Sequence, residues 1–202
     1  DDLIALVRVA ALNPALAKPG PACQQLLSDM RATTPALANL IRYDAEGTPI
    51  CAAVGSGRPY RLEAPFLAWL KQRHEPNVSG ALVGPLSGRK VMVISVPLHD
   101  ADGGFMGVMS GSIDVAWLTA QLRRTAGDTA VAIIEDDGTV ASATAPLPPF
   151  APQSVPGSVS RTMSGDGRTW YYTVIPLRPR QDTQPGLSVV YAAPAPPVLG
   201  LE

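Results

Sequence analysis

The stretch of residues 89–118, RKVMVISVPLHDADGGFMGVMSGSIDVAWL, decides the fold. Residues 91–98 interleave two mostly apolar sets of side chains, which indicates a strand buried on both faces. The polar, glycine-rich residues 99–104 are typical of a hairpin turn, and residues 105–113 read as a second strand. Asp114 follows, and its side-chain oxygen suits the cap of a helix that begins at Val115. The stretch therefore predicts strand, hairpin turn, strand and helix.

The hydrophobic pattern outside this unit predicts a helical N-terminal segment and further strands. Residues 1–17 and 22–31 have apolar positions three and four apart, as in helices, with a break at Pro19-Gly20-Pro21. Predicted strands cover residues 37–43, 49–54, 77–83, 130–134, 139–142, 158–163, 169–177 and 186–192, and a short helix covers residues 63–72. The strand and turn order occurs twice. We therefore expect one antiparallel sheet over residues 36–113 and a second, smaller one over 129–192, joined by a helix over 114–124.

Length and composition bound the class of protein. The chain has 202 residues, 46% of them hydrophobic, which is enough for a sizeable core. The net charge is −1, from 16 basic and 17 acidic residues, so a basic nucleic-acid surface is not expected. No apolar run approaches the roughly 20 residues of a membrane span, and no signal peptide is recognisable. We expect a domain excised from a larger protein, with Leu201-Glu202 fitting a cloning scar.

Residue patterns that carry catalytic or metal chemistry are weak. Residues 87–90, SGRK, fit S-x-x-K, but they precede a strand and lack the partner motifs of penicillin-binding enzymes. The two histidines, His74 and His99, fall at a helix end and in a hairpin turn, and neither predicts a metal cluster. Asp100 and Asp102 are more typical of a turn than of a calcium site. We therefore expect no catalytic residues, no metal and no cofactor.

A loop and the short helix after it gather two guanidinium groups and three aromatic rings. Arginine binds a carboxylate through two hydrogen bonds, and an aromatic wall excludes water, so these residues predict a small-ligand site. They are Arg58, Tyr60, Arg61, Phe66 and Trp69. The alternative is structural: Phe66 and Trp69 are three apart on one helix face, as core residues are, and Arg58 bonds a loop carbonyl.

Cys23 and Cys51 are the two cysteines of the chain. They are either two buried thiols of a cytosolic protein or one disulfide of a protein from an oxidising compartment. Their pattern alone leaves both interpretations open.

Several segments together resemble the extracytoplasmic double Cache sensor domains of bacterial membrane receptors, whose modules have a PAS-like fold. Residues 40–47 with Cys51 resemble the first hairpin of that family, and Arg58-Pro59-Tyr60 resembles the start of its pocket helix. The end of the distal module is matched by Gly88-Arg89, Ser95-Val96-Pro97-Leu98, Asp102-Gly103, Gly107-Val108 and Ile113-Asp114. The similarity covers most of residues 1–125 and, more weakly, 130–192.

The resemblance implies an α+β fold in which a long N-terminal helix precedes two modules in series. Residues 1–35 would be the helical stalk, 36–125 the membrane-distal module with its connecting helix, and 126–200 the membrane-proximal module. It also implies a periplasmic location, a disulfide between Cys23 and Cys51, and a homodimer formed through the N-terminal helix of the full-length receptor. Membrane anchoring would come only from spans outside this sequence.

The function implied is sensing of a small solute, with output through a histidine kinase, a diguanylate cyclase or a chemoreceptor. In similar receptors that bind amino acids, an arginine at the position of Arg58 holds the carboxylate and an aspartate on the last distal strand holds the ammonium. Ser112 takes the place of that aspartate, so we expect a carboxylate ligand without an essential amine. The alternatives are a ligand-free structural or protein-binding module and, with less support, a periplasmic hydrolase.

Overall fold

The computed structural model describes residues 2–16, 18–55, 60–152, 157–178 and 186–196. Its helices are α1 (Asp2–Ala11), a short 3-10 helix (Pro14–Leu16), α2 (Pro21–Ala32), α3 (Ala64–Lys71) and α4 (Val115–Ala126). Its strands are β1 (Leu37–Tyr43), β2 (Pro49–Ala52), β3 (Asn77–Val83), β4 (Lys90–His99), β5 (Phe105–Asp114), β6 (Ala130–Glu135), β7 (Val140–Ala143), β8 (Val159–Met163), β9 (Thr169–Arg178) and β10 (Leu187–Pro194). The chain forms two compact units, residues 1–117 and 118–202, and the division falls within α4.

The N-terminal helical segment is divided rather than continuous. Two α-helices of 10 and 12 residues flank the short 3-10 helix, where the sequence suggested one long helix with a break. Gly20 has a φ of 142°, which side chains rarely adopt, and Pro21 begins α2, where its missing N–H costs no helical hydrogen bond. The first helix therefore ends at Ala11 and not at residue 17 as predicted, whereas the predicted break at residues 19–21 lies at the start of α2. None of the helices in the described part of the chain has both the length and the hydropathy of a membrane span.

The first unit is a five-stranded antiparallel sheet with the order β2-β1-β5-β4-β3. The β4–β5 hairpin predicted from the sequence stands within it, and β5 pairs with β1 on one edge and β4 on the other. One face of the sheet packs against the N-terminal helices through a core that includes Val7, Leu27, Ile94 and Met109. The other face packs against α3. The sheet therefore separates two distinct hydrophobic clusters.

Gly111 sets how closely α1 approaches the sheet. A Cβ atom at this position of β5 would lie 2.6 Å from Cγ2 of Val7, which is closer than Cβ contacts in proteins come. Val7 itself is fully buried. Any larger residue at position 111 would have to push α1 away from the strand.

The second unit repeats the topology of the first. Its antiparallel sheet also has five strands, in the order β7-β6-β10-β9-β8, which is the order of the first sheet. Ala132, Ile134, Val174 and Val190 are buried in its core. The predicted double Cache, PAS-like architecture of two sheets in series is thus confirmed. The second sheet is not smaller in its number of strands.

Cys23 of α2 and Cys51 of β2 are joined by a disulfide, with their Cα atoms 6.1 Å apart. The disulfide expected from the family resemblance is therefore present. It fastens α2 to the edge strand of the first sheet, close to a hydrogen bond from Ser28 Oγ to the carbonyl of Ala53 at 3.2 Å.

Removing this bond should destabilise the first unit. The bridged cysteines are 28 residues apart, and closing a loop of that size stabilises a protein by roughly 3–4 kcal/mol in the chain-entropy model. We expect the double substitution Cys23→Ala, Cys51→Ala to lower the free energy of unfolding by about that amount, measured with urea. Two free thiols in wild-type protein made in an oxidising compartment would contradict the assignment.

Candidate functional site

Buried polar side chains form a row across the first sheet. Asn77 of β3 lies opposite Ser95 of β4, which lies opposite Ser110 of β5, which lies opposite Ile41 of β1. Directly opposed residues share one face of a sheet, so all four side chains point the same way. Asn77, Ser95 and Ser110 are each at most 4% exposed, and the two serine Oγ atoms are 3.4 Å apart.

Ser112 extends this row, because residues two apart on a strand share a face. It is 9% exposed and lies opposite Asn39 and Val93. We call Asn77, Ser95, Ser110 and Ser112 the polar floor. Asn39 has a structural role beside it, since its amide exchanges hydrogen bonds of 3.0 and 3.1 Å with the backbone of Val54.

Helix α3 covers the face that carries the polar floor. Ile41, at the end of the row, belongs to the same buried cluster as Leu67 and Leu70 of α3. Glu63 precedes the helix, and Pro65 in the first turn fits because its missing N–H is not needed there. The polar groups therefore lie on the side of the sheet opposite α1 and α2.

Three of the predicted ligand-binding residues come together at this face. Tyr60, Phe66 and Trp69 all pack against the α3 cluster, with the Phe66 and Trp69 rings stacked at a centroid distance of 6.0 Å. The Trp69 indole nitrogen Nε1 is buried and has no hydrogen-bond partner among the described residues. An unsatisfied buried donor is costly, and a ligand acceptor would satisfy it.

Of the two arginines predicted to bind the ligand, only Arg61 is among the described residues. Arg58 lies outside the described residues. Arg61 is exposed, and its Nε donates to the carbonyl of Glu46 at 3.0 Å, which ties the loop to the first hairpin. One of its five donors is thus committed to the backbone. Its part in ligand binding stays a prediction.

The polar floor and the two phenols packed in the α3 cluster are uncharged. Burial raises the pKa of the Tyr43 phenol well above its usual range, and burial also raises that of Tyr60, with Glu63 adding to the effect. Both phenols are therefore uncharged at neutral pH. The floor itself consists of three hydroxyls and an amide, which donate and accept hydrogen bonds but carry no charge.

The buried cation Arg42 belongs to the opposite face. It lies opposite Cys51 and Met109, which pack with the N-terminal helices. Its guanidinium donates to the carbonyls of Tyr43 and, at 2.9 Å, Met106, and desolvation by burial lowers its pKa. Arg42 thus holds the ends of β1 and β5 together and does not reach the polar floor.

A cavity of about 490 Å³ lies on the face of the sheet that the N-terminal helices cover, opposite the polar floor. Its lining is uncharged and includes Leu3, Ile4, Ile94, Ile113 and Trp117. None of the predicted ligand-binding residues contributes to it. Elsewhere, no cluster of three or more His, Cys, Asp or Glu side chains in the described ranges is arranged to hold a metal ion.

Asp114 ends β5 and caps α4, as the sequence predicted. Its Oδ1 accepts hydrogen bonds from the backbone N–H groups of Ala116 at 2.8 Å and Trp117 at 3.4 Å. Its Oδ2 lies 2.6 Å from Nη2 of Arg89, and the carboxylate is only 6% exposed. This anion is therefore engaged at the start of α4.

The polar floor was largely missed by sequence reasoning, which identified only Ser112. The sequence did contain a signal for these residues: Ser110 and Ser112 are two residues apart on one predicted strand, as are Asn77 and Ser79 on another. Inside apolar strands, such spacing places polar groups on one face. The interpretation of residues 91–98 as a strand buried on both faces hid Ser95.

No protein-family model matches this sequence, and no curated protein matches it. Solved structures do. The extracellular domain of the candidate histidine kinase rpHK1S-Z16 is 20% identical, with 96% of this chain and 84% of that one covered at a TM-score of 0.71. The ligand-binding domain of the Pseudomonas fluorescens chemoreceptor CtaA, in complex with L-alanine, is 18% identical, with coverages of 99% and 91% and a TM-score of 0.71.

A third structure is the ligand-binding domain of the Campylobacter jejuni chemoreceptor Tlp3 in complex with L-valine. It is 15% identical, with 95% of this chain and 82% of that one covered and a TM-score of 0.63. At these identities the comparison concerns the fold. The chain has the two-unit fold of extracellular ligand-binding domains from bacterial receptors.

The capping role of Asp114 is testable. Asp114→Ala removes the acceptor for two helix N–H groups and leaves Arg89 without its carboxylate. We expect the free energy of unfolding to fall by about 1–2 kcal/mol in urea. Asp114→Asn keeps a capping oxygen but not the charge, and it should lose less. Equal stability of Asp114→Ala and wild type would contradict the role.

Proposed function

We propose that this chain is the extracytoplasmic ligand-sensing domain of a transmembrane signal-transduction receptor, and that the domain itself is not catalytic. The observation that carries the proposal is the polar floor, four buried hydrogen-bonding side chains on the face of the sheet against which α3 packs. It occurs in a fold shared with domains whose names state that they bind ligands. The disulfide supports an extracytoplasmic location, because such bonds persist in oxidising compartments.

The ligand we propose is a small organic carboxylate that lacks an ammonium group. Arg58 would hold the carboxylate, and Ser112 together with the Trp69 indole N–H would bind its oxygens. CtaA and Tlp3 were solved with amino acids. The floor of this chain offers no carboxylate to an ammonium, and Asp114 is occupied by α4 and Arg89. A buried ammonium without an anionic partner carries a desolvation cost of several kcal/mol.

Calorimetry with matched ligands tests this assignment. Lactate and alanine differ only in a hydroxyl against an ammonium, and we expect lactate to bind about tenfold or more tightly. Ser112→Asp should reverse the preference, because it supplies the missing anion. Arg58→Ala should abolish binding of both.

Two results would count against this site. Tighter binding of alanine by the wild type rejects the ligand class. Unchanged lactate binding by Arg58→Ala rejects the site. Circular dichroism of each variant shows whether it is folded. A generic esterase and phosphatase assay tests the hydrolase alternative.

The parent protein that we propose is a sensor histidine kinase, which the similarity to rpHK1S-Z16 supports. A chemoreceptor is the second candidate, supported by the similarity to CtaA and Tlp3. A diguanylate cyclase is a third output that suits the same kind of domain. Membranes that contain the full-length receptor should incorporate phosphate from ATP onto histidine if the kinase assignment is right.

We further propose that the receptor is a homodimer through α1. Val9 of α1 is 68% exposed, and Leu12, the residue that follows the end of this helix, is 82% exposed. Large apolar side chains three apart suit packing against a second helix.

Cross-linking in the full-length receptor tests the dimer. We expect Leu12→Cys to form an intermolecular disulfide in membranes under mild oxidation, seen as a doubled mass on a non-reducing gel. Lys18→Cys provides a control position after the 3-10 helix that follows α1. Equal cross-linking of both variants, or none of Leu12→Cys, would contradict an interface at α1.

A further inference from the structure

The cavity of about 490 Å³ on the helix-covered face of the first sheet reaches into the core. Ile94 of β4 and Ile113 of β5 line it and are only 1% and 9% exposed. Leu3 and Ile4 of α1 and Trp117 of α4 line it as well, and all three are partly buried against the same core cluster. The cavity is therefore bounded by the sheet, by α1 and by the first turn of α4.

Three strands place this cavity behind the polar floor. Val78, Ile94 and Ile113 line it from β3, β4 and β5, and each is next in sequence to a residue of the floor. Successive side chains of a strand point to opposite faces of the sheet. The cavity and the proposed carboxylate site therefore lie on opposite faces and share no residue.

The polar groups of the cavity lie at its mouth. Thr33 and Thr34, which follow α2, line the cavity and are exposed to solvent. Thr33 Oγ1 donates to the carbonyls of Asp29 and Met30 at 3.2 and 3.0 Å, so its oxygen can still accept a hydrogen bond. None of the described residues that line the cavity is charged. A charged ligand would lose hydration here without gaining an ionic partner.

The volume suits a small molecule better than a polypeptide. Ligand pockets typically enclose roughly 300–1,000 Å³. One turn of an α-helix, about 10 Å across and about 5.4 Å long, already fills about 420 Å³. The cavity would thus hold little more than a single helical turn. An apolar ring that replaces the water against its apolar lining removes that lining from water, which is favourable.

We propose that this cavity is a second ligand-binding site, for a small neutral molecule with an apolar ring and a single hydroxyl group. The ring covers Ile94, Ile113 and Trp117, and the hydroxyl donates to Thr33 Oγ1 at the mouth. Because the ligand contacts Leu3 of α1 and Trp117 of α4 together, its binding fastens both helices to the sheet. The site does not depend on the proposed carboxylate site, which lies on the other face.

Three probes with the same ring test the site in the whole chain by NMR. Cyclohexanol is neutral, whereas cyclohexanecarboxylate and the cyclohexylammonium ion are charged at pH 7. We expect saturable shifts of the Trp117 indole N–H signal with cyclohexanol, at a Kd of about 1 mM. Both charged probes should bind about tenfold or more weakly. Equal binding of the three probes, or no saturable binding of cyclohexanol in the millimolar range, overturns the proposal.

A substitution at the mouth locates the binding. Thr34→Trp fills the entrance from an exposed position, and we expect it to weaken cyclohexanol binding about tenfold or more. Gln24→Trp is the matched control, because Gln24 is exposed on α2 and does not line the cavity. It should bind cyclohexanol as the wild type does. Unchanged binding by a folded Thr34→Trp overturns the site, and the comparison of the three probes in the wild type needs no variant.

Hydrogen exchange shows whether the ligand holds α1. A ligand at ten times its Kd that leaves when α1 opens slows that opening equilibrium about tenfold. We therefore expect the protected amides of α1 to exchange about tenfold more slowly with cyclohexanol present. Slower exchange in α3 alone would place the probe on the polar floor and overturn the proposal. Unchanged exchange in α1 at saturation would contradict the contact with this helix.

Discussion

The pairing of β5 with a neighbour on each edge is the constraint on which the first unit depends. A strand bonded on both sides has no freedom to turn, so alternate side chains are fixed to opposite faces. Met109 and Ile113 meet the N-terminal helices, whereas Ser110 and Ser112 lie on the opposite face, against which α3 packs. A register slip of one residue would bury the serines among the helices and expose the apolar residues to the other face. One strand thus provides both the core and the candidate ligand site.

The end of the same strand begins the next part of the chain. Asp114 is the last residue of β5 and the cap of α4, and Arg89, just before β4, holds its carboxylate. The ion pair of Arg89 and Asp114 therefore joins the start of β4 to the end of β5, at the end of the hairpin away from its turn. The Asp114 carboxylate thus contacts both the residue before β4 and the first turn of α4.

The order of elements was predictable because it depends on local patterns. The β4–β5 hairpin, the cap at Asp114 and both sheets follow from alternation, turn residues and a capping side chain, and the structure confirms them. The predicted strands, five in each half, match the two five-stranded sheets, although the second sheet was expected to be the smaller one. The candidate site was only partly foreseen. Tyr60, Phe66 and Trp69 cluster in the sequence as in space, whereas Asn77, Ser95 and Ser110 meet only through strand register.

Gly111 gives this arrangement a mechanical consequence. Between the hydroxyls of Ser110 and Ser112 on one side and the side chain of Val7 on the other there is only the thickness of a single backbone. Gly111 has no side chain between the backbone of β5 and Val7. A displacement of this backbone by a few tenths of an ångström is therefore the same on both faces of the sheet. Such a displacement reaches α1 without an intervening side chain at position 111. The stiffness of β5 determines how large the displacement at α1 is.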